Sequence, residues 1–124
     1  MGALRCAPLD VEIQAQPGQT ILVLHGELDM ATESQLRDVA MAQLGVSGLA
    51  TLGLDLADIT FLDSSGISVL VEVRNQAQER GIAMEISAVS PHAARVLTIV
   101  GLAKSFGIPP DPDAVPRLSA NTEA

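Results

Sequence analysis

Residues 64–80 read Ser64-Ser65-Gly66-Ile67-Ser68-Val69-Leu70-Val71-Glu72-Val73-Arg74-Asn75-Gln76-Ala77-Gln78-Glu79-Arg80, and their local preferences conflict. Ile67, Val69, Val71 and Val73 are β-branched, stiff at χ1 and at home in a strand. Length resolves the conflict. Strands run about 4–8 residues, and this segment continues without a breaker until Glu79-Arg80-Gly81. Ile67, Leu70, Val71 and Ala77 lie on one helical stripe with Val69 and Val73 beside it. The segment is predicted to be a largely buried helix with Gly81 just past its C-terminus.

A strand stands on each side of this helix. Leu52, Leu54 and Leu56 alternate with Gly53, Asp55 and Ala57, and Ile82 to Val89 reads as a further strand. Strand, buried helix, strand implies parallel pairing through a right-handed crossover. Upstream, Val11, Ile13 and Ala15 alternate with Glu12 and Gln14, Pro17-Gly18 marks a turn, and Ile21 to Leu24 reads as a central strand, so a hairpin is expected. Ala31 to Leu44 carries Leu36, Val39, Ala40 and Leu44 at helical spacing. Asp29 or Thr32 is expected to cap it, Glu33 sits in its first turn, and Gly45 and Gly48 end it. Ser90-Pro91 is a helix start, Ser at the N-cap and Pro at the first helical position. Val96, Leu97 and Val100 form the buried stripe, Gly101 is the stop, and Phe106 and Ile108 suggest a short last strand.

The expected order is β-β-α-β-α-β-α-β: one α/β domain over residues 1–108, a mixed sheet with helices packed on it. Residues 109–124 hold four of the seven prolines and read as a mobile acidic tail with a short helix around Val115 to Leu118.

Composition narrows the function classes. The chain has 124 residues, 48% of them apolar, enough for one self-supporting core. Cys6 is the only cysteine, so no internal disulfide and no Cys-based zinc cage is available, which suits a reducing compartment. The only aromatics, Phe61 and Phe106, leave an aliphatic core and no stacking platform for single-stranded nucleic acid. Seven Lys and Arg against fifteen Asp and Glu give a net charge of −8, which argues against nucleic acid or anionic membrane as partner. Between Gly26 and Asp63 the acids Glu27, Asp29, Glu33, Asp38, Asp55, Asp58 and Asp63 face only Arg37, so one side of the fold is expected to be negative. No apolar run approaches the ~20 residues of a membrane span. Met1 to Asp10 lacks the basic and apolar regions of a secretory signal, and a cytoplasmic protein is expected.

Templates for enzyme chemistry fit poorly. There is no phosphate-binding loop and no dinucleotide fingerprint, and neither Ser64 nor Ser65 stands in a G-x-S-x-G frame. His25, Asp29 and Ser64 could be assembled into a triad, but such a trio occurs by chance in most chains. His25 and His92 lack metal-ligand spacing, so no metal or cofactor is expected. What stands out is Asp63-Ser64-Ser65-Gly66 between a strand and an apolar helix. The structural reading is that Asp63 or Ser64 is an N-cap and Gly66 allows close packing. The functional reading is that one serine is a phosphoacceptor. Its phosphate would meet free backbone N–H groups at a helix N-terminus, adding roughly two negative charges to a surface carrying Asp29, Asp58 and Asp63.

With these motifs the chain resembles the anti-sigma factor antagonists of the STAS domain family, from about Val11 to Gly107. The resemblance rests on Gly26-Glu27-Leu28-Asp29 followed by Ala31-Thr32, and on Asp55-Leu56 ahead of Phe61-Leu62-Asp63-Ser64-Ser65-Gly66. It continues in Ser90-Pro91, Arg95-Val96-Leu97, Gly101-Leu102 and Phe106. Ile67-Ser68 departs from the commoner Leu-Gly. The resemblance implies a non-enzymatic bacterial regulator of transcription, of the partner-switching kind found in stress responses. Unphosphorylated, it would bind an anti-sigma factor serine kinase and free a sigma factor. Phosphorylation of Ser64 would release it, and a phosphatase would reset it. The partner-binding residues would be Asp29, Asp63, Ser64, Ser65, Gly66, Ile67 and Ser68. Two alternatives are a STAS subunit of a lipid-transport or stress-signalling assembly and, ranked last, a small hydrolase using Ser64 with His25.

Overall fold

Pro17 and Gly18 reverse the chain between two strands, β1 (Leu9–Gln16) and β2 (Gln19–Leu28), which pair antiparallel from Gln16↔Gln19 to Leu9↔Gly26. Gly18 takes φ +77°, the left-handed backbone such a turn asks of its second central residue. The structure, a computed structural model, describes residues 9–109. Cys6 and, apart from Pro109, the tail expected over residues 109–124 with its short helix lie outside the described residues.

Helix α1 (Glu33–Leu44) leads to β3 (Thr51–Leu62), α2 (Ser64–Glu79) to β4 (Ala83–Val89), and α3 (Pro91–Ile99) to a 3-10 turn at Lys104–Phe106. The strands lie in the order β1-β2-β3-β4, with β2, β3 and β4 mutually parallel. The result is the expected single α/β domain with a mixed sheet.

One face of the sheet is sealed. Leu22, Leu24 and Leu28 of β2 and Leu52, Leu54 and Leu56 of β3 are fully buried, together with Leu36 and Ala40 of α1 and Val69, Leu70, Val73 and Ala77 of α2. Each leucine so placed contributes roughly 1.5–3 kcal/mol, so an almost purely aliphatic core suffices. Helices α1 and α2 pack on each other, and Arg37 of α1 donates through Nε to Glu72 of α2 (3.0 Å) and through its terminal amine to Glu33 (3.4 Å). Hydrogen bonding to Glu72 raises the Arg37 pKa above its ordinary value. The alternate residues of β1 and β2 point the other way, where His25 Nδ1 meets Asp58 Oδ2 at 2.8 Å and Nε2 lies 3.9 Å from Glu12.

Three elements differ from expectation. β3 runs five residues past Ala57, because the strand bulges: its register shifts against β4 after Leu54 and against β2 near His25 and Glu27, while Asp55 Oδ1 accepts from the Ala57 N–H (2.9 Å). A bulge re-aims side chains, which hides the period-2 pattern over Asp58 to Leu62. Helix α1 starts at Glu33 rather than Ala31, because Asp29 to Thr32 form a turn of their own. The expected last strand at Phe106 and Ile108 is instead the end of the 3-10 turn. Gly107 at φ +74° reverses the chain between them, the Ile108 N–H donates to the Ala103 carbonyl (2.8 Å), and both side chains enter the core.

Ser90 joins α3 to the sheet as expected of an N-cap: its buried hydroxyl accepts from the Ala93 N–H (3.1 Å) and donates to the Ile59 carbonyl (2.7 Å). Ser90→Ala removes both bonds at a buried position and should cost about 1–3 kcal/mol in denaturant unfolding. A midpoint equal to that of the native chain would show the link to be idle.

Candidate functional site

Leu28 and Leu62 are the last register partners of the β2–β3 ladder. Beyond them the two chain segments leave the sheet side by side, one through Asp29 to α1, the other through Asp63 to α2. The Asp63 N–H still reaches the Leu28 carbonyl (3.4 Å). Parallel α/β sheets gather helix N-termini at the C-terminal ends of their strands, and this is such an end.

Asp63 is the N-cap of α2. Its backbone is extended (φ −115°, ψ −171°), and Oδ1 accepts from the N–H groups of Ser65 (2.9 Å) and Gly66 (3.1 Å). The Asp63 carbonyl takes the Ile67 N–H (3.0 Å). Ser64 is therefore the first helical residue, and it is exposed. Ser65 is half-buried, Gly66 buried, Ile67 packed partly against the core and Ser68 exposed one turn below Ser64.

Gly66 has a packing reason. A Cβ built there would stand 2.5 Å from the Leu28 carbonyl oxygen, 2.7 Å from Leu62 Cδ1 and 2.9 Å from Leu28 Cγ. Helix α2 thus seats its first turn directly on the end of β2, which brings Ser64 beside the segment that starts at Asp29.

That segment is pinned at both ends. Asp29 Oδ1 accepts from the Ala31 N–H (2.9 Å), and the Asp29 carbonyl accepts from Thr32 (3.1 Å) and Glu33 (2.9 Å). The buried Thr32 hydroxyl receives the Asp29 N–H (3.0 Å) and donates to the Glu27 carbonyl (2.9 Å). The capping expected of Asp29 or Thr32 takes a different form. Thr32 occupies the N-cap position, but its side chain makes no cap bond, because the hydroxyl turns back to fasten the loop to β2.

The structure brings Asp29, Asp63 and Ser64 together on adjoining segments and places Ser65, Gly66, Ile67 and Ser68 along the first turns of α2. It does not assemble the triad. His25 is hydrogen-bonded to Asp58, and His92 stacks on Phe61 (centroids 6.1 Å, planes 18° apart). Among the described residues no hydrogen bond joins Ser64 to an imidazole, and no group of three or more His, Cys, Asp and Glu is disposed to hold a metal ion. No described helix is long and apolar enough to cross a membrane. Residues 26–33 and 58–64 carry Glu27, Asp29, Glu33, Asp58 and Asp63 and no Lys or Arg, with Glu33 paired to Arg37 and Asp58 bonded to His25.

Sequence reasoning missed Met30, whose side chain is 74% exposed beside Asp29, and the Phe61–His92 pair. The available signals were a methionine in the short turn between Asp29 and Thr32 and one of only two Phe residues in a chain without Trp or Tyr.

Comparison with known proteins bears on the family and the fold. The STAS domain family model matches residues 10–115. The anti-sigma F factor antagonist of Paenibacillus polymyxa is 29% identical over 100 residues, covering 81% of this chain and 86% of that protein. An anti-sigma factor antagonist from Mycobacterium paratuberculosis superimposes with TM-score 0.71 at 24% identity, over 90% of this chain and 92% of that one. The anti-sigma factor antagonist SpoIIAA in its unphosphorylated form gives TM-score 0.69 at 18% identity, over 90% and 97% of the two chains. At these identities the superpositions establish the fold.

Gly66→Ala tests the seat of α2. Alanine gains up to about 1 kcal/mol in helix propensity, but the methyl meets backbone that cannot swing away. Overpacking of this kind costs about 1–3 kcal/mol, so the melting temperature should fall. A rise would show that α2 does not rest on Leu28.

Proposed function

The chain belongs to the STAS domain family, and on that footing we propose that it is an anti-sigma factor antagonist switched by phosphorylation of Ser64. Unphosphorylated, it binds an anti-sigma factor with serine-kinase activity and frees the sigma factor. The kinase, using ATP, phosphorylates Ser64 and releases it, and a phosphatase restores the first state. This is a cytoplasmic role without catalysis by the chain itself. The observation that carries the reading is the position of Ser64: exposed, first in α2, directly behind the Asp63 cap. The names of the curated relatives support it. The partner-facing set is Asp29, Asp63, Ser64, Ser65, Gly66, Ile67 and Ser68.

The energetics of such a switch are favourable. A phosphate at Ser64 adds about −1.5 to −2 charges. Within the chain, the N-terminal end of α2 offsets part of this, by about 0.3–1 kcal/mol at an exposed site, so the fold survives modification. At an interface the balance reverses. A like-charge contact at 4 Å costs about 4 kcal/mol at an effective dielectric of 20, enough to weaken binding several hundredfold. A kinase still holding nucleotide phosphates provides that like charge.

With the purified cognate anti-sigma factor kinase and ATP, the chain should gain one phosphate, lost in Ser64→Ala and kept in Ser65→Ala. Ser64→Asp should bind the kinase weakly while retaining the native circular dichroism and melting curve. Phosphate at Ser65 or Thr60, or tight binding by Ser64→Asp, would overturn the assignment. Asp29→Asn keeps an acceptor for the Ala31 N–H, so it should melt like the native chain and yet be phosphorylated more slowly. Equal phosphorylation would confine Asp29 to its turn.

A further inference from the structure

We propose that Arg74 is the seat of the chain's own C-terminal segment: its guanidinium, laid over Phe106, takes the carboxylate of Asp111 and fastens that segment to α2. The inference does not depend on the antagonist reading.

Arg74 stands in the second half of α2 and is half-buried. Its guanidinium carbon lies 5.2 Å from the centre of the Phe106 ring, and Phe106 is itself buried in the core. In that position Nε is shut off from solvent and meets no hydrogen-bond acceptor among the described residues. Buried polar groups are nearly always paired, and a charged donor without an acceptor is the costlier kind to leave alone. The ring attracts the cation but supplies no lone pair to the N–H. A carboxylate does, and its two oxygens match the guanidinium fork.

No described carboxylate fills that place. One turn away on α2 stand Leu70, Val71, Ala77 and Gln78, all uncharged. Glu72 is bonded to Arg37 of α1, and Glu79, five residues on, lies round the helix from Arg74. On β4, Met84 and Ile86 pair with the buried Leu52 and Leu54 and share their face, so Glu85 between them points to the other side of the sheet. The 3-10 turn adds a second cation, Lys104, and residues 86–110 contain neither Asp nor Glu. The next carboxylate along the chain is Asp111.

Its reach is set by where the described chain ends. The Ile108 N–H donates to the Ala103 carbonyl (2.8 Å), so the chain departs from the foot of the same turn that carries Phe106. Asp111 is three residues further on, and its α-carbon therefore stands within about 11 Å of that of Ile108 whatever the path. Asp113 is two residues more remote. Pro110 has a fixed φ and Pro112 restricts the residue before it, so ordering Asp111 costs less entropy than ordering an ordinary tail.

The test is a double-mutant cycle on the full chain, with melting curves at low and high salt. Asp111→Asn should lower the native melting temperature by about 3 °C or more, and by less at high salt. In an Arg74→Met background, where an unbranched stem still covers Phe106, Asp111→Asn should have no further effect. Asp113→Asn should stay within about 1 °C of the native chain. In parallel, proteinase K should cut residues 110–118 several-fold faster in Asp111→Asn than in the native chain. Equal losses from Asp111→Asn in the two backgrounds overturn the pairing, and coupling to Asp113 in its place overturns the assignment of Asp111. If Arg74→Met does not fold, the cleavage rates decide: native-like cleavage of Asp111→Asn overturns the proposal.

Discussion

Only a hydrogen atom fits between the Gly66 α-carbon and the Leu28 carbonyl, and the depth at which α2 meets the sheet is set there. The approach is possible because Leu28 and Leu62 end the β2–β3 ladder in register, so the chain that turns into α2 is still alongside β2 when its first turn forms. From that seat the rest of the surface follows. Asp63 is held extended and caps Ser65 and Gly66, Ser64 becomes the outermost residue of the first turn, and the Asp29 loop is forced to leave beside it. A larger residue at position 66 would lift the helix and part the two segments.

The carboxylates of this surface do two kinds of work at once. Asp29 and Asp63 each use Oδ1 on their own backbone, as turn acceptor and as helix cap. Their negative charge is therefore fixed in place by local hydrogen bonds rather than carried on a freely rotating side chain. A surface whose charges are positioned in this way recognises geometry as well as sign, because the cost of ordering them is met during folding. It also means that the two aspartates are poor subjects for alanine substitution, since the turn and the cap fail along with the charge.

The elements legible in the sequence are those whose pattern is local. The hairpin at Pro17-Gly18, the buried helix of residues 64–80 and the Ser90-Pro91 start could be read because turn chemistry, length and capping all act within a few residues. The extension of β3 over Asp58 to Leu62 was not legible, since bulges against both neighbours break the alternation that identifies a strand. The turn at Phe106 to Ile108 was misread as a strand for the converse reason: two apolar residues two apart look like alternation, although Gly107 reverses the chain between them. At the site, the motif placed a helix start at Asp63 or Ser64, and the structure makes Asp63 the cap and Ser64 the first helical residue. Gly66 was read as a close-packing residue, but its partner, the Leu28 carbonyl, is a tertiary contact that no local pattern contains. Met30 escaped notice because exposure of an apolar side chain on a pinned turn depends on the Thr32 hydroxyl folding back to Glu27.

Strand order equal to chain order has a consequence for how this surface comes into being on the ribosome. Each strand pairs with the one synthesised just before it, through a hairpin or a single crossover. Such sequential closure keeps loop entropy low and lets pairing advance as the chain emerges. The Ser64 hydroxyl, however, takes its place at the head of α2 only when β3 is docked on β2 and α2 has settled on Leu28. A nascent or misfolded chain contains the same Asp63-Ser64-Ser65-Gly66 tetrapeptide but not the paired exit of two strands. A partner that reads this end of the sheet therefore reads conformation, and chains that have failed to fold stay invisible to it.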